Sequence, residues 1–101
     1  MPSFIYDFEW DPRKAKINAR KHGVDFEQAA EVFQDPLAVA IPDDEHTTSE
    51  SRWITLGKGA RARYLVVVHT FEELDEKTAR VRIISARRPT RNEIREYEEQ
   101  P

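Results

Sequence analysis

The sequence of 101 residues contains no cysteine, only three glycines and no long apolar run. The absence of cysteine excludes disulfide bonds, thiolate catalysis and zinc–cysteine sites, so stability must come from packing. GxGxxG and Walker motifs are absent, and Gly57 and Gly59 are too few to cradle a nucleotide. No apolar segment approaches the length of a transmembrane helix, and the start MPSFIYDFEW resembles no signal sequence. We therefore expect a cytoplasmic protein with no membrane partner.

Histidine is also scarce. His22, His46 and His69 lie far apart in the sequence and show no paired ligand spacing. Zinc and other transition metals are usually held by closely spaced pairs of histidine, cysteine or carboxylate ligands. The sequence therefore predicts neither a metal site nor a bound cofactor.

Charge is abundant but unevenly distributed. Charged residues make up 35% of the chain, and the formal net charge is −3. Residues 1–50 carry five basic and eleven acidic side chains, whereas residues 51–101 carry eleven basic and eight acidic ones. The segment from Arg80 to Asn92 contains five arginines and no acid. The local excess of arginine indicates a surface that binds phosphate. The length of the chain separately predicts a single domain over residues 1–101.

The segment from Arg80 to Tyr97 predicts a strand followed directly by a helix. Val81, Ile83 and Ser85 alternate with Arg82, Ile84 and Ala86, with the period of two that is expected of a strand, and we expect this strand to be central. Pro89 cannot continue the strand ladder, and Thr90 with Glu93 three residues later forms a capping box at the start of a helix. A strand therefore brings arginines to the edge of a sheet.

The other elements follow from caps, periodicity and turn residues. Asp11 and Pro12 predict the start of a first helix that ends near His22, and Asp25 with Gln28 predicts the cap of a second. Further strands are expected over residues 4–8, 37–41, 52–56 and 63–71, and residues 72–78 are expected to form a polar loop. The order β-α-α-β-β-β-β-α predicts an α+β domain whose antiparallel-rich sheet packs on helices.

A basic sheet without a cofactor motif suits reactions on a polyanion such as RNA. Metal-free cleavage requires a base for the 2′-hydroxyl, an acid for the leaving 5′-oxygen, and cations for the charged transition state. The candidate cations are Arg52, Arg82 and Arg87, because guanidinium groups match phosphate oxygens in pairs. Arg87 is the strongest candidate, because simple alternation places it on the face of Val81 and Ile83, where it needs a partner or a ligand.

The candidates for proton transfer are Glu50, His69, His22 and Lys21. Each histidine and the glutamate also has a structural interpretation. His22 lies on the small-residue face of its helix beside Gly23 and suits a packed, hydrogen-bonded role. His69 continues the alternation of the preceding apolar strand, and Glu50 could simply pair with Arg52.

Three segments of the chain resemble the BrnT toxins of type II toxin-antitoxin modules. They are FEWDPRKAKINARKHGVDFEQAAEVFQD, ESRW and RVRIISAR, the last followed by Glu93 and Tyr97. The resemblance covers residues 8–97, and the combination of NxxKHGVxF with RIISAR is specific. It implies a compact RelE-like ribonuclease toxin, and it places the family's motif residues at Lys21, His22, Glu50, Arg52 and Arg87, with Arg82 at the start of RIISAR.

The resemblance also implies a partner. BrnT toxins are held inactive by a BrnA-type antitoxin with a ribbon-helix-helix domain, in complexes of two toxins and two antitoxins that reach operator DNA through the antitoxin. The sequence thus favours a metal-independent endoribonuclease that inhibits translation. A second hypothesis is a non-catalytic module whose basic face binds nucleic acid or an acidic antitoxin segment and acts in operon autoregulation.

Overall fold

The fold is organised around one long central strand. The computed structural model describes residues 4–43 and 51–100 of the chain. Its strands are β1 (Ile5–Glu9), β2 (Val39–Pro42), β3 (Arg52–Lys58), β4 (Tyr64–Thr70), β5 (Glu72–Glu73) and β6 (Thr78–Arg87). They form one sheet in the order β1-β6-β4-β3-β2, with β5 paired to the first half of β6. Among the described strands, the β1–β6 pairing is parallel and the other pairings are antiparallel. The predicted α+β class and the central position of the arginine-rich strand are confirmed.

Three helices begin where the sequence predicts caps. They are α1 (Pro12–His22), α2 (Phe26–Ala30) and α3 (Arg91–Glu98), and a 3₁₀ turn over Glu31–Gln34 extends α2. Asp11 caps α1 through the amide of Arg13, and complete capping boxes begin α2 and α3. Gly23 ends α1 with φ of 69°, a conformation that glycine adopts without a steric penalty.

The two sides of the sheet are covered unequally. We call the side that packs against α1 and α2 the covered face, and the side that carries α3 the open face. Buried apolar residues of the covered face are Val24, Phe26, Ala29, Val32, Leu65, Val67, Val81, Ile83 and Ala86. The open face has a smaller core of Leu56, Val66 and Tyr97. Because α3 has only eight residues, much of the open face is not under a helix.

Asp35 fixes α3 to the sheet. Its carboxylate accepts hydrogen bonds from the Tyr97 hydroxyl at 2.7 Å and from the Lys58 amide at 2.8 Å. Burial acts to raise the pKa of Asp35, but these bonds, that from the Leu37 amide and the charge of Lys58 outweigh it and hold the pKa below its usual value. The C-terminal half of α3 is thereby held against β3.

The structure differs from the sequence predictions mainly at element ends. The strand predicted over 37–41 is the short edge strand β2, and the predicted polar loop over 72–78 begins with the two-residue strand β5. The apolar run at 65–68 is buried at Leu65, Val66 and Val67, as expected for a strand covered on both sides. No helix among the described residues is long and apolar enough to cross a membrane.

Candidate active site

A bulge in β6 determines the face on which Arg87 lies. Val68 of β4 pairs with Ser85, whereas the next residue, His69, pairs with Ile83. Ile84 is therefore an extra residue in β6. Because successive side chains of a strand point to opposite faces, one extra residue reverses the alternation beyond it.

This reversal places Arg87 on the open face. Val81, Ile83 and Ala86 are all buried in the core of the covered face, although simple alternation would separate Ala86 from the other two. Arg87 is the neighbour of Ala86, so it lies on the opposite side, opposite Val66 of the open-face core. The prediction that Arg87 shares a face with Val81 and Ile83 is wrong, because that prediction assumed an unbroken alternation.

Arg87 forms a bidentate ion pair with Glu93. Its two terminal nitrogens lie 2.9 and 3.0 Å from the carboxylate oxygens. Hydrogen bonding to Arg87 is the main reason that the pKa of Glu93 falls to about 2, and the pair also raises the pKa of Arg87. Glu93 Oε1 accepts from the Thr90 amide as well, so the capping box of α3 aims the carboxylate at the end of β6.

Arg82 and Arg52 lie on the same face as Arg87. Arg52 is two residues before Ile54, which packs on the open-face core, and Arg82 alternates with the buried Val81. Thr70 lies between them: it pairs with Arg52 across β3 and β4, and its hydroxyl accepts from the amide of Arg82 at 3.2 Å. Strand spacing puts the main chains of β3 and β6 about 10 Å apart.

A shallow cleft of about 350 Å³ lies beside Arg82. It is lined by Glu9, Ser51, Thr70, Phe71, Glu72, Arg80 and Arg82. Arg80 interacts there with two carboxylates, Asp7 at 3.6 Å and Glu72 at 3.4 Å. The cleft therefore mixes cations and acids at its β1 side, and neither Arg52 nor Arg87 is among its lining residues.

His69 lies on the covered face, and its side chain is 2% exposed. Nδ1 lies 2.9 Å from the Thr70 carbonyl oxygen, which can only accept, so Nδ1 carries the proton. Nε2 lies 2.6 Å from the Thr55 hydroxyl, which donates to it in the neutral imidazole. Burial lowers the pKa of His69, which favours this neutral form. Both ring nitrogens therefore have partners on the side of the sheet opposite Arg52 and Arg87.

Lys21 and His22 are also on the covered side, in the last turn of α1. Lys21 is exposed and His22 is half-buried. Asn18, one turn earlier, is hydrogen-bonded to the main chain of Ala86 in β6. The structure thus separates Lys21 and His22 from Arg52, Arg82 and Arg87 by the thickness of the sheet. Of these arginines, Arg87 is the one at the end of β6 that Asn18 contacts.

Glu50 lies outside the described residues, so its prediction as a proton-transfer group stays a prediction. Among residues 4–43 and 51–100, no three histidine, aspartate or glutamate side chains cluster as metal ligands would. Two residues of the open face were not among the predicted site residues: Glu93, named in the capping box and in the family resemblance, and Thr70. The spacing of Glu93 six residues after Arg87, across Pro89, was the available sequence signal for the first.

Comparisons with known proteins identify the same similarity as the sequence motifs. A family model described as ribonuclease toxin, BrnT, of type II toxin-antitoxin system matches residues 10–93. A crystal structure of the Brucella abortus ribonuclease toxin BrnT is similar in fold, with a TM-score of 0.54 and 22% sequence identity over 90% of this chain and all of that one. No curated protein sequence matches the chain.

Proposed function

Because the chain belongs to the BrnT family of ribonuclease toxins of type II toxin-antitoxin systems, we propose that it cleaves RNA on the open face without a metal ion. Arg52, Arg82 and Arg87 bind the phosphates in this proposal. The observation that supports it best is that three arginines from two non-adjacent strands share the face that α3 leaves largely uncovered.

The chemistry requires charge stabilisation above all. In metal-free cleavage the 2′-oxygen loses its proton and attacks phosphorus, and the 5′-oxygen leaves with a proton. The phosphorane-like transition state carries extra negative charge on its oxygens. Guanidinium groups donate two parallel hydrogen bonds to such oxygens and stay charged at every working pH, so fixed arginines stabilise the transition state directly.

Glu93 orients Arg87 rather than moving protons. Its pKa of about 2 makes it a weak base at neutral pH. The carboxylate receives hydrogen bonds from both terminal nitrogens of Arg87, and this fixes the plane of the guanidinium group. The side chain of Arg87 is still 41% exposed, so its remaining N–H groups can reach a phosphate.

The proton-transfer groups in the proposal come from Glu50, His69, His22 and Lys21. Glu50 is favoured by its position in the sequence, two residues before Arg52. His69 would first have to release its hydrogen bonds to Thr55 and Thr70, and His22 and Lys21 would have to act around the end of β6.

The proposed function includes an antitoxin that binds and inhibits this protein. The family description implies an antitoxin partner. We propose a BrnA-type antitoxin with a ribbon-helix-helix domain in a 2:2 complex, which covers the open-face arginines, blocks RNA and reaches operator DNA in the cytoplasm. We also propose that the protein is related to the RelE-like ribonuclease toxins.

The test uses purified protein, freed of any co-purified partner, incubated with total RNA in EDTA. Wild-type protein should degrade RNA, and Arg87→Ala should lose at least 100-fold of that activity, as removal of a transition-state hydrogen-bond donor does. Lys77→Ala is the matched control, because Lys77 is an exposed cation in the turn before β6. Its activity should equal that of wild type.

Two results would count against the proposal. Full activity of a folded Arg87→Ala protein would remove Arg87 from the site. Intact RNA with every variant, together with salt-dependent RNA binding, would favour the non-catalytic binding module instead. Growth arrest on induced expression would then distinguish cleavage that needs the ribosome from binding alone.

A further inference from the structure

The outer side of α1 is a continuous cationic surface. Five basic side chains point outward from this helix, and all five are exposed: Arg13, Lys14, Lys16, Arg20 and Lys21. We call them the α1 basic face. No acidic residue occurs between Pro12 and Gly23.

The geometry of the helix keeps these charges together. At 100° per residue, the five cations fall within an arc of about 160°. Ile17, which is 62% exposed, lies in the middle of that arc. Ala15 and the buried Asn18 lie on the opposite side, against the sheet. The cations are therefore directed away from the protein by the same contacts that dock the helix.

The part of the chain that the structure describes supplies no acidic partner for these cations. Among residues 4–43 and 51–100, no ion pair or hydrogen bond is made by a side chain of the α1 basic face. By contrast, Arg80 and Arg87 are both paired with carboxylates. Although the chain has a net charge of −3, no described carboxylate pairs with any of these five neighbouring cations on one helix.

We propose that Arg13, Lys14, Lys16 and Arg20 of the α1 basic face bind the phosphate backbone of RNA outside the cleavage site. The inference rests on the proposed function in one respect, because a ribonuclease makes RNA the expected polyanion. Lysine and arginine on one exposed helix face are suited to sequence-independent phosphate contacts. The cores of protein–protein interfaces are depleted of lysine and contain larger apolar side chains, whereas Ile17 is the one apolar residue among these cations.

The position of α1 allows one RNA chain to reach both sites. Asn18 holds α1 against Ala86, the residue before Arg87. Arg88 is exposed at the same end of the strand. An RNA strand that passes around the end of β6 would therefore meet Arg87 on the open face, then Arg88, and then the C-terminal half of the α1 basic face.

The test measures binding without cleavage. A 2′-O-methyl RNA of about 20 nucleotides has no 2′-hydroxyl to attack, and its dissociation constant is measured by fluorescence anisotropy in a series of KCl concentrations. The variant Lys14→Gln/Lys16→Gln/Arg20→Gln should bind about 10- to 100-fold more weakly at 0.1 M salt, and the slope of log K against log salt should fall by about 2.

Two control variants are measured beside the α1 glutamine variant. Lys14→Arg/Lys16→Arg/Arg20→Lys keeps every charge and should bind as wild type does. Arg61→Gln/Arg63→Gln/Lys77→Gln removes three exposed cations elsewhere and should change affinity less than threefold. Circular dichroism confirms that each variant is folded, which the exposure of the substituted side chains leads us to expect.

Three outcomes would overturn the inference. They are unchanged affinity and slope in the α1 glutamine variant, an equal loss in the distant glutamine variant, and tighter binding of polyglutamate than of RNA. The last would indicate an acidic protein partner. Because binding is measured on uncleavable RNA, a protein that never cleaves but shows the expected loss would refute the proposed function and leave this inference standing.

Discussion

The side-chain amide of Asn18 pairs with the main chain of Ala86 through two hydrogen bonds. Nδ2 donates to the Ala86 carbonyl at 2.8 Å, and the Ala86 amide donates to Oδ1 at 3.0 Å. Nδ2 also donates to the Val24 carbonyl at 2.9 Å. A side chain of α1 thus occupies hydrogen-bonding positions of the main chain in β6, directly after the bulge that determines the face of Arg87.

We expect Asn18→Ala to destabilise the protein by about 3 kcal/mol, because it leaves buried groups of Ala86 and Val24 without partners. Urea unfolding monitored by tryptophan fluorescence measures the change. Asn18→Asp should be at least as damaging, because a carboxylate oxygen would replace the donor to two carbonyl groups. Asn92→Ala, at an exposed position of α3, is the control and should change the free energy of unfolding by less than about 0.5 kcal/mol. A shift of similar size in both alanine variants would contradict this role of Asn18.

The Arg87–Glu93 pair predicts a specific acid sensitivity. The pKa of Glu93 lies at about 2 in the folded protein against an ordinary 4.5, chiefly because of its hydrogen bonds with Arg87. A lowered folded-state pKa gives stability that is complete above pH 4.5 and is lost as the pH falls toward 2. The Glu93→Gln variant should therefore be less stable than wild type at pH 7. Between pH 4.5 and 2 its free energy of unfolding should fall by less than that of wild type.

Unfolding curves at pH 6, 4.5 and 3 measure this difference. Glu96→Gln is the control, because Glu96 is an exposed glutamate of the same helix. If wild type and Glu93→Gln lose equal stability between pH 4.5 and 3, the ion pair does not contribute as the geometry indicates.

His69 predicts a second and distinct pH dependence. Burial lowers its pKa below 6.5, so the unfolded chain takes up a proton before the folded protein does. Stability should therefore fall as the pH drops below 6.5, and His69→Gln should flatten the decline between pH 7.5 and 5.5. Equilibrium unfolding across that range tests it, with His22→Gln as the control. An unchanged decline in His69→Gln would show that the imidazole is not the cause.

The His69→Gln variant also distinguishes a structural role of His69 from a role in proton transfer. If His69 only packs against Thr55 and Phe33, the folded His69→Gln protein should retain RNA cleavage at a temperature well below its unfolding transition. A loss of cleavage with a folded protein would support proton transfer by His69.

Local signals were sufficient for most of the elements. The caps at Asp11, Asp25 and Thr90 each act within three residues of the helix they begin, so the sequence alone predicts where the helices start. Alternation likewise predicts the central strand, and the family motifs agree with the family model over residues 10–93. These features depend on neighbouring residues, which is why they can be predicted without a structure.

The face of Arg87 could not be predicted in this way. The adjacent Ile83 and Ile84 interrupt the alternation of polar and apolar residues, but two neighbouring apolar residues also occur in a regular strand that is covered on both sides. The bulge itself is defined only by the pairing of β6 with β4. The bulge reverses the alternation, and the consequence is that Arg87 joins Arg52 and Arg82 on the open face while His69 remains on the covered face.

The sequence by itself determined the elements, their caps, the excess of arginine near the end of the chain and the family. The tertiary structure decided which charges share a surface: Arg52, Arg82 and Arg87 lie on the open face, and five cations lie on the outer side of α1. The physical reason is that caps and periodicity are short-range properties of the chain. The side of a sheet on which a residue lies depends on pairing with strands that are distant in the sequence.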